Sequence, residues 1–570
     1  MCGDFNSHSS LWSNESKNDK KGNQLEMVLL QNDLTVLNNV NSPPTFQNTQ
    51  GGKSWIDLST AGSKISDNII NWRVRNYESL SFHKMITFTL NQTPSVYNKT
   101  RYNFDKTNWT LFNTKLSENF LLKNISENTV LSTSKSELDK LCENISMAIK
   151  DTIVSHVPST KNYKKRLLVS WWNKDISNLR KSVNNARRKN QKDATPQNVN
   201  FYRSLRNKYK NAIRKSKHED FSNSCRNAES PWELLRKLTS KSHHSSTPAL
   251  LKDNDTYTLN DTDTCNFLLE KWFPDDDSND DQDVHLQTRQ HVQQYLNRPI
   301  ITPAPDITDT EMDIINTISP MKLPGWDLIR AVVLQNITRV NRIIIKSLFN
   351  QCIKYSFFPH VWQFGIGKIS PKPDKNDEAN YKSYRCITLL SVLGKWFEKI
   401  VMKRLMWTAL TNNLLSDKQF GFIPGRSCED AICNITSIIE KAFFNKRYVL
   451  IIFLDISGAF DCTWHPSVLK SFISKGYEPS YVHLISSYLS NRHVRLDINS
   501  SSSTKRLTRS APQGGGLSPF IWDMDYDDTL DVPAIDPDLL AIVEESTYID
   551  SSAQAYADDS QVAIISDTLH

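Results

Sequence analysis

The chain has 570 residues, 38% hydrophobic and 10% aromatic, with 69 Lys/Arg against 62 Asp/Glu for a formal charge of +7. That is enough for two to four domains with sizeable cores, and the apolar content excludes a disordered chain. No apolar run is long enough to span a bilayer, and nine scattered cysteines with neither a CxxC pair nor zinc spacing exclude a zinc finger and point to reduced thiols.

At the N-terminus, Gly3-Asp4-Phe5-Asn6 places an acid and an amide two apart, able to hold a metal and a phosphate oxygen together. An Asx turn is the competing reading. There follow Trp12, Gly22-Asn23-Gln24-Leu25, Leu37-Asn38, Pro44-Thr45-Phe46, Ser54-Trp55-Ile56-Asp57-Leu58, Trp72 and Ser81-Phe82-His83. The succession resembles the C-terminal half of the endonuclease/exonuclease/phosphatase family, in the apurinic-type form carried by non-LTR retrotransposons. The resemblance implies that Asp4 and Asn6 handle the phosphate and the attacking water. It implies too that Asp57 orients His83, which stabilises charge on the scissile phosphate. Phe82 stands where that family has Asp, and the half carrying its metal-binding Glu is not in this sequence. Half of a two-sheet sandwich leaves a sheet face uncovered, so residues 1–92 are expected to be an inactive endonuclease remnant.

Residues 93–300 read as a polar, helical, basic linker. Within them, 161–217 hold eighteen Lys/Arg against Asp175 and Asp193, a local balance of +16. Tyr163, Trp171, Trp172, Phe201, Tyr202 and Tyr209 are interleaved. A solvated basic helix is the plain alternative, but this bias together with side chains able to stack on bases points to nucleic-acid contact. The run Asp275-Asp276-Asp277 with Asp280, Asp281 and Asp283 lacks EF-hand spacing and reads as solvated linker.

From about 301 the motifs are dense. Met321 to Asp327 (MKLPGWD) precedes a long helical segment, then Lys368-Ile369-Ser370-Pro371-Lys372-Pro373 and Tyr384-Arg385-Cys386-Ile387. Leu393 to Ile400 reads as an amphipathic helix packed in a core. Gln419-Phe420-Gly421-Phe422 and Gly425-Arg426-Ser427 come next. Val449 to Leu454 is a continuous apolar run ending in Asp455, the pattern of a strand buried on both faces. Asp461 follows Phe460. Pro512 to Pro519 (PQGGGLSP) is glycine-rich, and Tyr556-Ala557-Asp558-Asp559 reads as a hairpin tip. If Asp455 and Asp558 meet at ~4 Å, their repulsion is about 4 kcal/mol at an effective dielectric of 20. Two divalent ions roughly 3.5–4 Å apart would cancel it and make a phosphoryl-transfer site.

These motifs, in this order, resemble the reverse transcriptases of non-LTR retrotransposons of the Jockey-like kind. The resemblance implies a multidomain α+β chain: a partial endonuclease sandwich, a helical linker, and over 301–570 the fingers and partial palm of a right-hand polymerase. The thumb would lie beyond His570. It implies that Lys372 and Arg385 grip the triphosphate, Arg by the bidentate geometry Lys cannot copy. Phe460 would lie beneath the sugar and exclude a ribose 2′-OH, while Gln513 and Gly514 place the template–nucleotide pair. Asp455 and Asp558 would be metal ligands, with Asp559 beside the primer end. Cys386, Ile423 and Ser510 replace the Pro, Arg and Gly usual at their positions. The implied cofactor is Mg²⁺, two ions, with Mn²⁺ possible; the implied partners are an RNA template, a DNA primer or target and dNTPs. The implied reaction is target-primed reverse transcription, in the nucleus after cytoplasmic synthesis. A catalytically silent nucleic-acid-binding fragment stays open as the second reading.

Overall fold

The computed structural model describes all residues except Met1, 32–33, 49–50, 63–65, 76–80, 92–100, 161–169, 194, 227–249, 254, 373–376, 457, 500, 532–548 and 568–570. Tyr163, the basic residues of 161–166 and Pro373 lie outside the described residues.

In chain order come β1 (Cys2–Asp4), α1 (Lys20–Gln31), β2 (Leu34–Val36), β3 (Phe46–Gln47), β4 (Lys53–Ser54), β5 (Asp57–Gly62), β6 (Ile69–Arg75) and β7 (Met85–Leu90). The short pair β8 (Arg101–Tyr102) and β9 (Ser159–Thr160) brackets α2 (Trp109–Leu122) and α3 (Leu138–His156). Then follow α4 (Lys174–Lys192), α5 (Pro196–Arg226), α6 (Asp261–Trp272), α7 (Asp283–Leu296) and α8 (Arg339–Lys354). The last stretch holds β10 (Phe364–Pro371), β11 (Tyr384–Leu389), α9 (Val392–Thr411), α10 (Cys428–Phe444), β12 (Tyr448–Asp455), α11 (His465–Ser474), α12 (Pro479–Leu489), β13 (Arg492–Ile498), β14 (Ser501–Leu507), α13 (Ser518–Tyr526), β15 (Ile549–Tyr556) and β16 (Asp559–Ser566). Local chemistry sets many of the helix starts. Asn108, Asn173 and Asn260 each accept from the backbone N–H three residues on, capping α2, α4 and α6. Pro opens α11, α12 and α13, where its missing N–H costs nothing.

Two compact units result, one of 1–100 with 161–243, the other of 101–160 with 244–570. In the first, antiparallel strands run in the order β1-β5-β2, beside the hairpins β3–β4 and β6–β7. Its sheet core is small, Trp12, Trp55 and Leu58, with the Trp12 indole donating to Trp55 O at 3.1 Å. Ile70, Met85, Phe88 and Leu90 on β6–β7 are exposed. Helices α4 and α5 pack on each other around Ile176, Val183, Ala186, Tyr202 and Tyr209. The aromatics expected to stack on bases are therefore mostly packed inside. Trp171 and Trp172 lie against this core, with Lys217 and Arg180 over their rings at 4.7 and 5.7 Å, and only Phe201 of the described ones is exposed. Two helices this basic repel each other, and these rings supply the apolar contact that holds them together.

In the second unit, residues 101–160 and 250–300 do not behave as a linker. Apolar residues of α3 recur at helical spacing (Leu138, Cys142, Ile145, Ile149, Ile153) and join Phe112, Leu116 and Phe120 of α2 in the main core. That core continues through Phe349 of α8, Trp396 and Phe397 of α9, Phe472, Tyr488 and Phe520. Leu268, Leu269 and Trp272 of α6 pack with Val494, Leu496 and Leu507 on one face of the sheet β11-β10-β13-β14. The acidic run is likewise not free. Asp276 accepts a bidentate pair of bonds from Arg289 at 2.8 and 2.9 Å, and Arg509 and the Trp464 indole also donate to it. Lys505 pairs with Asp275 at 3.0 Å. Composition showed the charge but not its partners, which lie up to 233 residues away.

The strand expected to be buried on both faces is not. β12 is the edge of the three-stranded sheet β12-β16-β15, and Leu450, Phe453 and Leu454 are 58%, 71% and 49% exposed. An apolar run gives a strand its propensity, but burial depends on neighbours, and among the described residues β12 pairs only with β16 and packs against α10.

Asp523 of α13 carries a pH dependence. It is fully buried, neither carboxylate oxygen has a hydrogen-bond partner among the described residues, and burial, then the charge of Asp527, pushes its pKa up to about 8. The folded chain therefore keeps a proton that the unfolded chain releases above about pH 4, so folding stability falls as pH rises from about 4 to about 8. Asp523→Asn removes the ionisable group: urea unfolding should show roughly 1–3 kcal/mol more stability at pH 7, and a flatter pH profile over that window.

Candidate functional site

Register places the acids. Asp455 at the end of β12 lies opposite Asp559, the first residue of β16, and Asp559 pairs with Tyr556 of β15. Ala557 and Asp558 are left as a two-residue turn, with Ala557 left-handed at φ 61°. Three carboxylates thus share one end of one sheet. Asp558 is half-buried, and its pKa is raised first by that burial and further by the charges of Asp559 and Asp455. Asp455 and Asp558, read as partners from sequence, come to the same sheet end, and Asp559, expected beside the primer end, lies opposite Asp455. Among the described residues the oxygens of these three do not all come within 4.8 Å of one another, so the set is gathered but not closed; an all-carboxylate set suits a hard divalent cation.

The turn is held by residues outside the sequence-derived candidates. Gln419 is fully buried; its Oε1 accepts from Gly421 N at 2.8 Å and Ala557 N at 3.1 Å, and its Nε2 donates to Ala557 O at 3.4 Å. Phe420 N donates to Ala555 O at 2.8 Å, and Ala555 N to Lys418 O at 2.9 Å. The Trp522 indole donates to Ala557 O at 3.3 Å. A Cβ on Gly421 would sit 2.2 Å from Ala557 N, so only glycine lets the two backbones meet. The signal was the Gln419–Phe422 motif itself, whose role sequence could not supply. Ile423, standing where an Arg is usual, is 3% exposed and belongs to the main core.

Around this end lie the groups expected to handle nucleotide. Phe460 sits between Phe422 and Trp522, ring centroids 6.3 and 6.1 Å away. Gln513 O accepts from Thr388 N at 3.0 Å, while its side-chain Oε1 is buried without a partner among the described residues. Gly514 is left-handed at φ 121°, and a Cβ there would meet Thr388 O at 2.7 Å. Ser370 pairs with Arg385 across β10–β11, so Lys372, two residues on, projects from the same face; both cations are exposed. Among the described residues no hydrogen bond or ion pair joins either to the three carboxylates. Asp461 is a missed candidate: Oδ1 has no partner among the described residues, and burial pushes its pKa up to about 7, opposed by the charge of Lys372.

The first unit gathers the other predicted set. Asp4 and Asp57 pair in register on β1 and β5. His83 Nδ1 lies 3.0 and 3.1 Å from the two Asp57 oxygens, and Nε2 lies 3.8 Å from Asp4 Oδ2. The ligand atoms of these three residues all fall within 4.8 Å, close enough to share a metal ion. Asn6, left-handed at φ 47°, donates its N–H to Asp4 Oδ1 at 2.9 Å, so the Asx turn and the site geometry coexist. Phe82 is 42% exposed, with the Arg206 guanidinium 5.3 Å from its ring centroid. Burial, then the charges of Arg187 and Lys53, pushes the pKa of Lys84 down to about 8.

Gly421→Ala should push Ala557 and the carboxylate turn out of place. Hydrogen exchange of the peptide spanning Tyr556–Asp559 should speed up by tenfold or more, against a stability loss of only about 1–3 kcal/mol by thermal unfolding.

Residues 370–570 match the family described as reverse transcriptase (RNA-dependent DNA polymerase), and residues 1–87 the family described as endonuclease-reverse transcriptase. The putative 115 kDa protein in type-1 retrotransposable element R1DM of Drosophila melanogaster is 26% identical over 557 residues, covering 92% of this chain and 51% of that protein. The probable RNA-directed DNA polymerase from transposon X-element, of the same fly, is 30% identical over 48% of this chain and 30% of its own length. The RNA-directed DNA polymerase from mobile element jockey, again from that fly, is 28% identical over 48% of this chain and 29% of its own length. The chain spans about half or less of the length of these relatives. Both matched segments occur in that order and one relative aligns across most of the chain, so this mixed helix-and-sheet chain is similar to the endonuclease–reverse transcriptases of type-1 and jockey mobile elements.

Proposed function

We propose that this chain is an RNA-directed DNA polymerase acting in target-primed reverse transcription: a DNA 3′-OH attacks the α-phosphate of a dNTP selected by an RNA template, and pyrophosphate leaves. The observation that carries the reading is the convergence of Asp455, Asp558 and Asp559 on one sheet end, with Asp558 held partly buried beside the other two. Asp455 and Asp558 would hold divalent ions, which neutralise charge on the 3′-oxygen and the leaving pyrophosphate. Lys372 and Arg385, on one face of β10–β11, bind the triphosphate. Phe460 excludes a ribose 2′-OH, and Gln513 orients the template base through its unpartnered amide oxygen. In this reading β11-β10-β13-β14 is the fingers sheet and β12-β16-β15 the palm sheet. The α4–α5 pair presents most of its Lys and Arg outward, Arg187 and Arg206 being buried, as a nucleic-acid contact with backbone charge rather than base stacking as its basis. The nucleus is the compartment where such a reaction meets its DNA target.

Primer extension on an RNA template with dNTPs and Mg²⁺ tests this. The parent chain should extend, and Asp455→Ala and Asp558→Ala should each fall at least about 10³-fold. No extension by the parent, with RNA binding retained, would favour a silent nucleic-acid-binding fragment instead.

The Asp4–Asp57–His83 set is proposed to be an inactive endonuclease remnant. Its histidine is oriented, but Phe82 removes the acid that the family carries beside it, and only one small sheet core supports it. Supercoiled plasmid with Mg²⁺ should stay intact; nicking that His83→Ala abolishes would overturn this.

A further inference from the structure

The glycine-rich loop Pro512–Pro519 is a junction. Ser510 N donates to Thr463 O at 2.9 Å and Ala511 N to Phe460 O at 2.8 Å, both beside the Asp455 strand end; Thr388 N donates to Gln513 O at 3.0 Å, next to the Arg385 strand. Ser518 Oγ also donates to Pro512 O at 2.9 Å, and a further anchor is a side chain to which the motifs assign no role. Glu398 of α9 is 1% exposed, and its Oε2 accepts from Gly516 N. Gly515 and Gly516 are shaped to it: a Cβ on Gly515 would meet Tyr488 Oη and Ser518 Oγ at 2.7 Å and Glu398 Oε2 at 3.2 Å, and one on Gly516 would touch Glu398 at 3.5 Å. The glycines, expected to admit the template–nucleotide pair, also admit this carboxylate.

A buried carboxylate needs compensation. Arg492 of β13, 1% exposed, supplies the largest opposing charge, held by Tyr488, whose carbonyl accepts from its Nη1 at 2.8 Å and whose ring centroid lies 4.5 Å from the guanidinium. The two are not a direct ion pair. Glu398 Oε1 and Arg492 Nη2 both lack hydrogen-bond partners among the described residues, so the carboxylate is directed at the loop backbone rather than at the arginine. A charge pair kept solely for stability would close into contact.

We propose that Glu398 is a positioning residue: it fixes the height of the Gly514–Leu517 backbone and thereby the placement of Gln513 against the templating pair. This rests on the polymerase reading, and two conservative changes, one shortening the side chain and one isosteric, separate its parts. Glu398→Asp keeps the charge but withdraws the acceptor from Gly516; Glu398→Gln keeps the reach but loses the charge facing Arg492. Hydrogen exchange of the peptide spanning Gly514–Leu517 and the KM for dNTP are measured on both and on the parent, beside global melting. Glu398→Asp should speed exchange in that peptide and raise KM about tenfold with kcat changed less, while Glu398→Gln stays near the parent in both despite a lower melting temperature. Unchanged exchange in Glu398→Asp, or a KM that follows melting temperature equally in both variants, would overturn the proposal. So would a loosened loop with an unaltered KM. If the parent extends no primer, the polymerase reading falls, and exchange alone decides whether Glu398 anchors the loop.

Discussion

The organising constraint is the repulsion among three carboxylates at one end of the β12-β16-β15 sheet. Strand register fixes the backbones of Asp455 and Asp559 opposite each other, and a two-residue turn that of Asp558, so all three carboxyl groups are tethered to one end of the sheet. Such a cluster relaxes unless something holds it. Here the Gln419 amide grips both the N–H and the carbonyl of Ala557, and Gly421 lets its backbone come close enough to do so. Electrostatic strain at the site is balanced by hydrogen bonds and packing one layer behind it.

The same division of labour recurs at the glycine-rich loop. Its positions face polar partners from three directions, Thr388, Phe460 and Glu398, and each contact is to backbone. A loop tied in this way transmits small displacements of α9 or β11 to Gln513 with little loss, because close-packed polar junctions have few soft modes. Side chains that would touch nucleotide are thus set by residues that would not.

The assembly of units explains why polar composition misled. Segments 101–160 and 250–300 read as linker because their mean hydropathy is low, yet α2, α3 and α6 each carry a narrow apolar stripe that completes the second unit's cores. Asp276 and Asp281 look like a solvated patch until Arg289 closes on both. In α4 and α5 the reverse holds: aromatics that look available are consumed by the helix–helix contact. In all three cases average composition was a poor guide and periodicity a better one.

Much of the candidate site was legible in the sequence. Asp455, Asp558, Phe460, Gln513, Lys372 and Arg385 lie in short contiguous motifs whose chemistry needs those residue types, and Asp4, Asp57 and His83 meet as their motifs implied. The β15–β16 hairpin tip at Tyr556–Asp559 was local enough to read as well, since hydrogen bonds between residues two to four apart depend on little else. Tertiary structure alone decided that β12 is an exposed edge, that Gln419 and Gly421 brace the carboxylate turn, and that Glu398 and Arg492 lie buried beneath the glycine-rich loop. Those outcomes turn on which distant segment comes to rest against each residue. A carboxylate on a helix looks the same in sequence whether it accepts a hydrogen bond from water or from a backbone amide 118 residues away.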